Sequence, residues 1–392
     1  MKALHFGAGN IGRGFVGKTI LDSGFNLIFS DINKNLIDII NHYQEYNIKL
    51  VGNNYEEIIT VKNVSAVHSY DSNIANLISH ADLITTSVGV SSLDEISKIL
   101  ARGIVLKIYS QNNKPLNIIA CENKMMASSY LKKKVLEKIS SIHYPYFKKY
   151  IGFVNCSIDV IIPTSFSIGK NKLCLVSENF KEWIVDSTQF KGEPPKIINM
   201  TLSSNLKYFI DRKFLTLNTG HAIAAYLGWT KKYKTIYETI LDREIFQIVK
   251  NSMQESGLTL IKCYNVDENK HLSYINKILA RFKNPYLLDK IERIARNPLQ
   301  KLKKDERLIY PLLKAIKYNL PYSNLVKGIS AAFFYKNKND IESIKIFSLI
   351  KKYGIEQTII KICDLNLNTK EVYSIILEYI FLLKKYSHGF LK

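Results

Sequence analysis

Three residues that together can oxidise an alcohol stand close in the second half of the chain: Lys213, Asn218 and His221. Alcohol oxidation needs a base that takes the hydroxyl proton while hydride leaves the carbon. A lysine can be that base, without a metal ion, if burial or a neighbouring cation lowers its pKa. Amide N–H groups can stabilise the alkoxide as it develops. The segment therefore predicts acid–base chemistry on a hydroxyl group.

The spacing of these residues places them on one side of a helix. At about 100° per residue, Lys213, His221 and Asn218 lie at roughly 0°, 80° and 140° around the axis. Gly220 falls near the lysine direction, where the missing side chain is expected to leave room for a ligand. The same segment also fits an amphipathic helix with a solvated lysine and a packed histidine.

A glycine-rich motif, Gly7-Ala8-Gly9-Asn10-Ile11-Gly12, follows an apolar segment at 2–6 and opens a helical pattern at 10–23. The first glycine permits a tight turn, the second lets the backbone approach a diphosphate, and the third lets helix and strand pack closely. The helix N-terminus favours the phosphate charge. Because the motif lies between a strand and a helix, as it must, it predicts a dinucleotide-binding turn.

Asp31 ends the next apolar segment, about 20 residues beyond the motif, where a carboxylate binds the ribose 2′-hydroxyl. A carboxylate there repels a 2′-phosphate, so the expected cofactor is NAD rather than NADP. FAD uses the same fingerprint and is the remaining alternative. The expected cofactor-binding residues are Phe6, Gly7, Ala8, Gly9, Asn10, Ile11, Gly12, Arg13, Gly14 and Asp31.

Apolar segments alternate with helical patterns in the first half of the chain, which is typical of βαβ units and a mainly parallel sheet. Beyond the sequence Gly192-Glu193-Pro194-Pro195, helical periodicity dominates. We expect an α/β Rossmann-type dinucleotide-binding domain at 1–195 and a mostly α-helical substrate domain at 196–392. The predicted strands lie at 2–6, 27–30, 83–88, 116–120 and 153–162, the last ended by Pro163.

The net charge of +21 is spread along the whole chain in scattered lysine pairs, not gathered in one stripe or tail. This distribution argues against a nucleic-acid partner, while a positive field steers an anionic substrate inward. The five cysteines are widely spaced without a Cys-x-x-Cys pair, so we expect no metal site and no disulfide framework. No signal peptide or membrane span is indicated, and we expect a cytoplasmic protein.

The lysine segment matches K-x-x-x-x-N-x-x-H, the motif of the polyol-specific long-chain dehydrogenases, and the chain resembles that family over nearly its whole length. The resemblance implies NAD-dependent interconversion of mannitol 1-phosphate and fructose 6-phosphate by a monomer. Further similar segments are 2–14, with the glycine motif, Asn117-Ile118-Ile119-Ala120-Cys121-Glu122-Asn123, Thr188-Gln189-Phe190-Lys191-Gly192, and Arg281-Phe282 with Asn284-Pro285-Tyr286.

The resemblance also implies roles for single residues. Lys213 would be the general base, and Asn218 and Asn123 would form the oxyanion-stabilising pair. His221 would orient the substrate. The substrate contacts would come from Asp159, near the family's substrate pocket, and from Arg293 and Lys301, which would bind hydroxyls or phosphate.

Three positions depart from the family pattern. Val160 and Gln300 stand where similar proteins usually have arginine, and Tyr310 stands where they usually have lysine. These losses bear on phosphate affinity more than on the type of reaction. The alternatives are another polyol or uronate dehydrogenase, such as mannitol 2-dehydrogenase or fructuronate reductase, and a non-catalytic nucleotide-binding sensor. The joint presence of Lys213, Asn218 and Asn123 argues against the sensor.

Overall fold

The computed structural model describes residues 1–52, 55–162, 173–287, 289–365 and 370–386. The chain divides into two compact units, Met1–Ile210 and Asp211–Lys392. The domain boundary expected after residue 195 falls inside the first unit, where a further strand follows it. That boundary stays a prediction about how the chain divides functionally.

The described strands all lie in the first unit. In chain order they are β1 (Lys2–Phe6), β2 (Asn26–Asp31), β3 (Glu45–Gly52), β4 (Tyr55–Lys62), β5 (Ser65–His68), β6 (Leu83–Thr86), β7 (Leu116–Ala120), β8 (Ile151–Phe153), β9 (Cys156–Asp159), β10 (Cys174–Glu178), β11 (Glu182–Asp186) and β12 (Met200–Ser203).

Six of these strands form one parallel sheet in the order β5-β2-β1-β6-β7-β8. Counted within the sheet, this is the 3-2-1-4-5-6 order of the Rossmann fold. The order reverses between β1 and β6, and ligands bind such sheets outside the carboxyl ends of the strands at that switch point. The expected Rossmann-type domain is confirmed.

Apolar residues cover both faces of this sheet because successive side chains of a strand point to opposite faces. On β1, Ala3 belongs to one buried cluster and Leu4 to the other. Helices pack on both faces of this sheet. Their bounds are α1 (Lys18–Asp22), α2 (Lys34–Tyr43), α3 (Ile74–His80), α4 (Leu93–Tyr109), α5 (Ala127–Leu136) and α6 (Tyr144–Tyr150), with 3-10 turns at Val90–Ser92, Ser141–His143 and Ser187–Gln189. The next helix, α7 (Leu206–Arg212), packs Leu206 and Ile210 against Ile184 of β11, outside the parallel sheet.

The segment predicted as one strand at 153–162 is divided between two sheets, so that prediction was wrong. Its start belongs to β8 at the edge of the parallel sheet, and β9 pairs in antiparallel fashion with β11 in a sheet of order β12-β11-β9. Continuous apolar character cannot separate two short buried strands from one long strand. Pro163 lies outside the described residues.

A third sheet, β10-β3-β4, was not predicted. β3 and β4 form an antiparallel hairpin in which Glu45 pairs with Lys62 and Gly52 with Tyr55. Most of β4 is exposed, and it carries charged residues without the apolar periodicity on which strand prediction depends.

Among the described residues of the second unit, the regular elements are helices, apart from an isolated bridge between Thr235 and Lys290, which confirms the expected change of pattern. A π turn at Lys213–Asn218 precedes α8 (Thr219–Thr230), whose residues are nearly all buried in the core of the unit. The remaining helices are α9 (Ile236–Leu241), α10 (Arg243–Tyr264), α11 (Glu268–Phe282), α12 (Ile291–Ala295), α13 (Pro298–Lys301), α14 (Ile309–Lys317), α15 (Ser323–Phe334), α16 (Ile341–Cys363) and α17 (Lys370–Tyr386).

Candidate active site

The glycine motif forms a tight turn between β1 and the first helix. Gly7 has a φ of +99°, which favours glycine, and a side chain there would place Cβ 2.5 Å from the carbonyl oxygen of Ser87. A Cβ on Gly12 would overlap the carbonyl oxygen of Gly7. At Gly9, by contrast, no atom lies within 4 Å of the Cβ position. The turn is therefore closed on its inner side and open at Gly9, as a close approach by a diphosphate requires.

The helix that follows the turn contains a π turn. Residues 10–22 are helical, close to the predicted 10–23, but Gly12–Gly17 form i→i+5 turns before α1 begins. Such π turns are rare and are frequently found at functional sites. Their presence is not readable from the glycine spacing.

Asp31 is fixed directly beside the turn. Its Oδ2 accepts a hydrogen bond from the backbone N–H of Ala8 at 2.7 Å, and its Oδ1 accepts one from the N–H of Asn33 at 2.9 Å. Each carboxylate oxygen can accept more than one hydrogen bond. The side chain therefore keeps capacity for a ribose hydroxyl while its direction is set by the backbone.

His5 supports the turn from below. Its Nδ1 lies 2.6 Å from Oγ1 of Thr85 and its Nε2 lies 2.8 Å from Oγ of Ser87, whose hydroxyl also donates to the Gly7 carbonyl. Burial lowers the pKa of His5 to about 3, against a weaker opposing effect of a Gly7 backbone hydrogen bond. The ring is therefore neutral and serves as a structural support.

Arg13 turns back into the protein. Its Nε donates to the Ala8 carbonyl at 2.6 Å, and its guanidinium carbon lies 5.9 Å from the ring centre of Tyr46. The Nη1 atom is buried and has no hydrogen-bond partner in the described part of the chain. Burial lowers the pKa of Arg13. The side chain thus holds the turn. Of the other expected cofactor residues, the described structure buries Phe6, Ala8 and Gly14 and leaves Asn10 and Ile11 partly exposed.

Glu122 joins the ends of β6 and β7. Its carboxylate accepts hydrogen bonds from the Val88 N–H at 2.9 Å, the Gly89 N–H at 3.0 Å and the Thr86 hydroxyl at 2.8 Å. Asn123 follows it in an exposed turn before α5. The expected substrate residue Asp159 is buried at the end of β9. Sequence reasoning did not single out Glu122, which anchors the segment that presents Asn123.

The lysine motif lies partly on a π turn, not on the regular α-helix assumed for its spacing. Lys213 and Asn218 are its first and last residues, and His221 follows on α8. All three side chains are partly exposed. The angles expected from 100° per residue are therefore wrong, because i→i+5 turns contain more residues per turn. The motif nevertheless brings the three residues onto consecutive turns.

The space expected at Gly220 is occupied. A Cβ on this residue would lie 2.6 Å from Cγ of Met253 on α10, so the glycine allows two helices to pack closely and leaves no room for a ligand there.

The π turn also contacts a buried histidine: Thr216 Oγ1 lies 3.5 Å from Nε2 of His271. Burial and the charge of Arg212 lower the pKa of His271 to about 4.

His221 is held by a buried carboxylate that sequence reasoning missed. Its Nε2 lies at ion-pair distance, 3.1 Å, from Oδ2 of Asp289, although neither atom has a partner in hydrogen-bond geometry within the described part of the chain. Its ring stacks on Phe282 with the ring centres 4.9 Å apart. The other oxygen of Asp289 accepts hydrogen bonds from Arg293, including one from Nε at 2.8 Å. Burial acts to raise the pKa of Asp289, but His221 and Arg293 hold it below its usual value.

This arrangement brings two predicted site residues together. Asp289 contacts both His221 and Arg293. Because its Oδ2 faces Nε2 of the imidazole, Nδ1 of His221 is left for another partner. Arg293 remains about half exposed beyond the pair. A carboxylate four residues before an arginine carries no distinctive sequence signal, because surface helices contain many such pairs.

Lys301, the last residue of α13, is buried and its ammonium group donates to the Arg296 carbonyl. Burial and then the charges of Arg307 and Arg296 lower the pKa of Lys301 to about 8. The lysine is therefore a cation in a positively charged, partly dehydrated environment. No link between Lys301 and Arg293 appears among the described contacts.

Within the described ranges, no group of three or more His, Cys, Asp or Glu side chains could hold a metal ion. No helix in that part of the chain is both long and apolar enough to cross a bilayer.

Comparison with known proteins agrees with this architecture. The protein named mannitol-1-phosphate 5-dehydrogenase from Buchnera aphidicola subsp. Schizaphis graminum (strain Sg) is 60% identical over 387 residues, which cover 98% of this chain and 100% of that protein. The protein of the same name from Buchnera aphidicola subsp. Acyrthosiphon pisum (strain Tuc7) is 59% identical over 379 residues, covering 97% of this chain and 98% of that protein.

Two solved structures share the fold at low sequence identity. The mannitol 2-dehydrogenase of Pseudomonas fluorescens, solved as a ternary complex with NAD and D-mannitol, has a TM-score of 0.76 at 13% identity and covers 100% of this chain and 94% of that one. A D-sorbitol dehydrogenase in substrate-free form has a TM-score of 0.82 at 14% identity and covers 98% and 93%.

Family models match most of the chain. Residues 1–199 match the mannitol dehydrogenase Rossmann domain, and residues 205–377 match the mannitol dehydrogenase C-terminal domain. Both matches agree with the parallel sheet and the helical unit described above. The chain therefore belongs to the mannitol dehydrogenase family.

Proposed function

We propose that the chain is an NAD-dependent dehydrogenase that interconverts D-mannitol 1-phosphate and D-fructose 6-phosphate. The observation that carries the choice of substrate is the identity of about 60% over nearly the full length with a relative that bears the name of this activity. The same observation favours this activity over that of a mannitol 2-dehydrogenase or a fructuronate reductase, since these enzymes share the family but act on other substrates.

The glycine turn fits NAD. The open position at Gly9 leaves space for the diphosphate. The start of the helix that follows would favour its negative charge. Asp31 would accept a hydrogen bond from the ribose hydroxyl. When bound, NAD supplies the acceptor for the hydride.

The proton transfer belongs to Lys213 in this proposal. In oxidation, its neutral amine takes the proton of the substrate hydroxyl while hydride leaves the carbon that bears this hydroxyl. In reduction, its ammonium group donates a proton to the carbonyl oxygen of the substrate. The amides of Asn218 and of Asn123 donate hydrogen bonds to that oxygen. A metal ion has no part in this scheme because the amine and the amides supply both functions. Chelator treatment should therefore leave the rate unchanged.

The remaining residues orient the substrate. His221, fixed by Asp289 and Phe282, offers Nδ1 to a hydroxyl group. Arg293 donates hydrogen bonds to substrate hydroxyls, and the carboxylate of Asp159 accepts hydrogen bonds from them. Lys301 provides positive charge for the phosphate. We further propose a cytoplasmic monomer without a nucleic-acid partner, on the ground that its basic residues are scattered along the chain.

The experiment is product identification in the oxidative direction. Purified protein is incubated with NAD and mannitol 1-phosphate, and the products are identified by NMR, with mannitol and NADP in parallel reactions. We expect equimolar NADH and fructose 6-phosphate. Equal turnover of mannitol, or formation of an aldose phosphate, would contradict the proposal.

A further inference from the structure

A cluster of cations lies beside the catalytic turn of the second unit, and the scheme above uses only its innermost member. Lys301 is buried, and Arg296 and Arg307 lie close enough for their charges to oppose its protonation. Like charges are brought together at a cost, and a site that binds an anion recovers that cost when the anion enters.

The acids near this cluster are already engaged. Asp340 accepts hydrogen bonds from the backbone N–H groups of Glu342, Ser343 and Asn297 at the start of α16. Glu306 accepts from the Gln300 side chain at 3.0 Å and lies 3.4 Å from Nε of Arg307. A third carboxylate, that of Glu342, accepts a hydrogen bond from the backbone N–H of Gln300 at 3.0 Å. The charges of Arg307 and Arg296 nevertheless act on Lys301 more strongly than those of Asp340 and Glu306.

A hydroxyl group ties Arg307 to the turn that carries Lys213. Thr219 Oγ1 lies 2.8 Å from the Arg307 carbonyl oxygen and 3.1 Å from that of Phe214. The guanidinium carbon of Arg307 lies 6.0 Å from the ring centre of Phe214, the residue after Lys213. The guanidinium group of Arg307 therefore lies near Phe214, which directly follows the proposed base Lys213 in the chain.

Two of the three departures from the family pattern fall around the same cluster. Gln300 bonds Glu306, and the Tyr310 ring lies 6.2 Å from the Phe214 ring. The ammonium group of Lys314 lies 5.1 Å from the Tyr310 ring centre, one helical turn further along α14. A positive charge therefore stays close to position 310 even though the lysine there is lost.

We propose that Arg307, together with Lys301 and with Arg296 at the rim, forms the subsite for the substrate phosphate and determines the preference for a phosphorylated sugar. The inference rests on the proposed function. Arginine suits this role because its planar group can donate two parallel hydrogen bonds to phosphate oxygens. Arg293 is assigned to the substrate hydroxyls and not to this subsite, because its guanidinium is bound to Asp289, which also contacts His221.

The test compares phosphorylated and unphosphorylated ketoses in Arg307→Gln. Losing a charge-assisted hydrogen bond should raise KM for fructose 6-phosphate roughly ten- to hundredfold, whereas kcat/KM for fructose should stay within about twofold. Arg307→Lys should recover part of the loss. Lys303→Ala is the matched control, since it removes an exposed cation of the same segment.

Inorganic phosphate provides a second measurement. It should inhibit fructose reduction competitively in the wild type and much less in Arg307→Gln. Equal losses for fructose and fructose 6-phosphate would show that Arg307 is structural, and unchanged constants would also overturn the subsite. A wild type with no preference for fructose 6-phosphate would defeat the proposed function, whereas a preference that survives Arg307→Gln would defeat only this inference.

The pH dependence has a definite sign. Burial and the charges of Arg307 and Arg296, opposed by the weaker effects of Asp340 and Glu306, lower the pKa of Lys301 to about 8. As pH rises through 8 the amine loses its charge, so KM for fructose 6-phosphate should rise. Lys301→Met should abolish this rise. A KM independent of pH in the wild type would remove Lys301 from the subsite.

Discussion

The carboxylate of Asp289 connects two side chains that the sequence could only name separately. It lies 3.1 Å from Nε2 of His221 and accepts hydrogen bonds from Arg293. It is 8% exposed, so its charge is compensated by these neighbours and only weakly by water. Asp289 is thus a positioning residue, since it fixes the ring that is proposed to orient the substrate.

Asp289→Asn should impair orientation without removing the base. The amide keeps the shape but loses the charge that pairs with His221 and Arg293, so kcat/KM should fall roughly ten- to hundredfold. Asp289→Glu, which keeps the charge, should recover part of the loss, whereas a purely structural defect would not be relieved by restoring the charge. Glu292→Gln is the control on the exposed side of α12. Wild-type kinetics in Asp289→Asn would refute the role.

Asp31→Ser should change the choice of cofactor. The substitution removes both the hydrogen-bond acceptor for the ribose and the repulsion of a 2′-phosphate. We expect a strong preference for NAD in the wild type and a narrower ratio of kcat/KM for NAD over NADP in the variant. A wild type that uses NADP as well as NAD would show that the carboxylate has been assigned the wrong role.

The residues proposed to carry the chemistry could be named from the sequence because their types and spacing are unusual. The sequence did not reveal Asp289, Glu122 or Arg307, because charged residues are common. The role of each depends on a partner distant in the chain: Asp289 contacts His221, Glu122 binds the end of β6, and Arg307 lies near Phe214. For the same reason, Gly220 was assigned a ligand space that Met253 fills.

At the scale of elements, π turns lie at both motifs. One follows the glycine motif at Gly12–Gly17, and the other carries Lys213 and Asn218. The sequence predicted helices at both places, but their periodicity does not reveal an extra residue in one turn. The same limit explains the missed hairpin β3–β4 and the division of segment 153–162.

Two alanine substitutions separate the folding and the binding roles of the glycine turn. Gly12→Ala should destabilise the first unit, because the new methyl group would overlap the Gly7 carbonyl oxygen and approach His5. Gly9→Ala meets no atom within 4 Å, so its melting temperature should stay close to that of the wild type while its affinity for NADH falls. Calorimetry and NADH fluorescence titration measure the two effects. Unimpaired NADH binding in Gly9→Ala would contradict the proposed path of the diphosphate.

At the scale of the whole molecule, two buried histidines make stability depend on pH. The pKa of His5 is lowered to about 3 and that of His271 to about 4, whereas an unfolded histidine titrates near 6.5. Between these values the unfolded chain binds more protons than the folded one, so the stability present above pH 6.5 is lost as pH falls. The loss is up to about 1.4 kcal/mol per pH unit for each histidine.

The melting temperature should therefore fall when pH is lowered from 7 to 5. His5→Gln and His271→Gln should each be less stable at pH 7, and each should lose less stability on acidification than the wild type. Equal melting temperatures at both pH values would mean that these two rings gain a proton in the folded protein as readily as in the unfolded chain.

The central claim is that this chain reduces fructose 6-phosphate with NADH and that Lys213 supplies the proton. The direct measurement is the decrease of NADH absorbance with fructose 6-phosphate, fructose or fructuronate, in the wild type, Lys213→Ala and the control Lys303→Ala. We expect rapid oxidation of NADH with fructose 6-phosphate alone, a kcat lowered roughly 10²- to 10⁴-fold in Lys213→Ala despite retained NADH binding, and an unchanged control. A wild type that is no faster with fructose 6-phosphate than with the other two substrates would contradict the account, as would a Lys213→Ala enzyme with near-wild-type turnover.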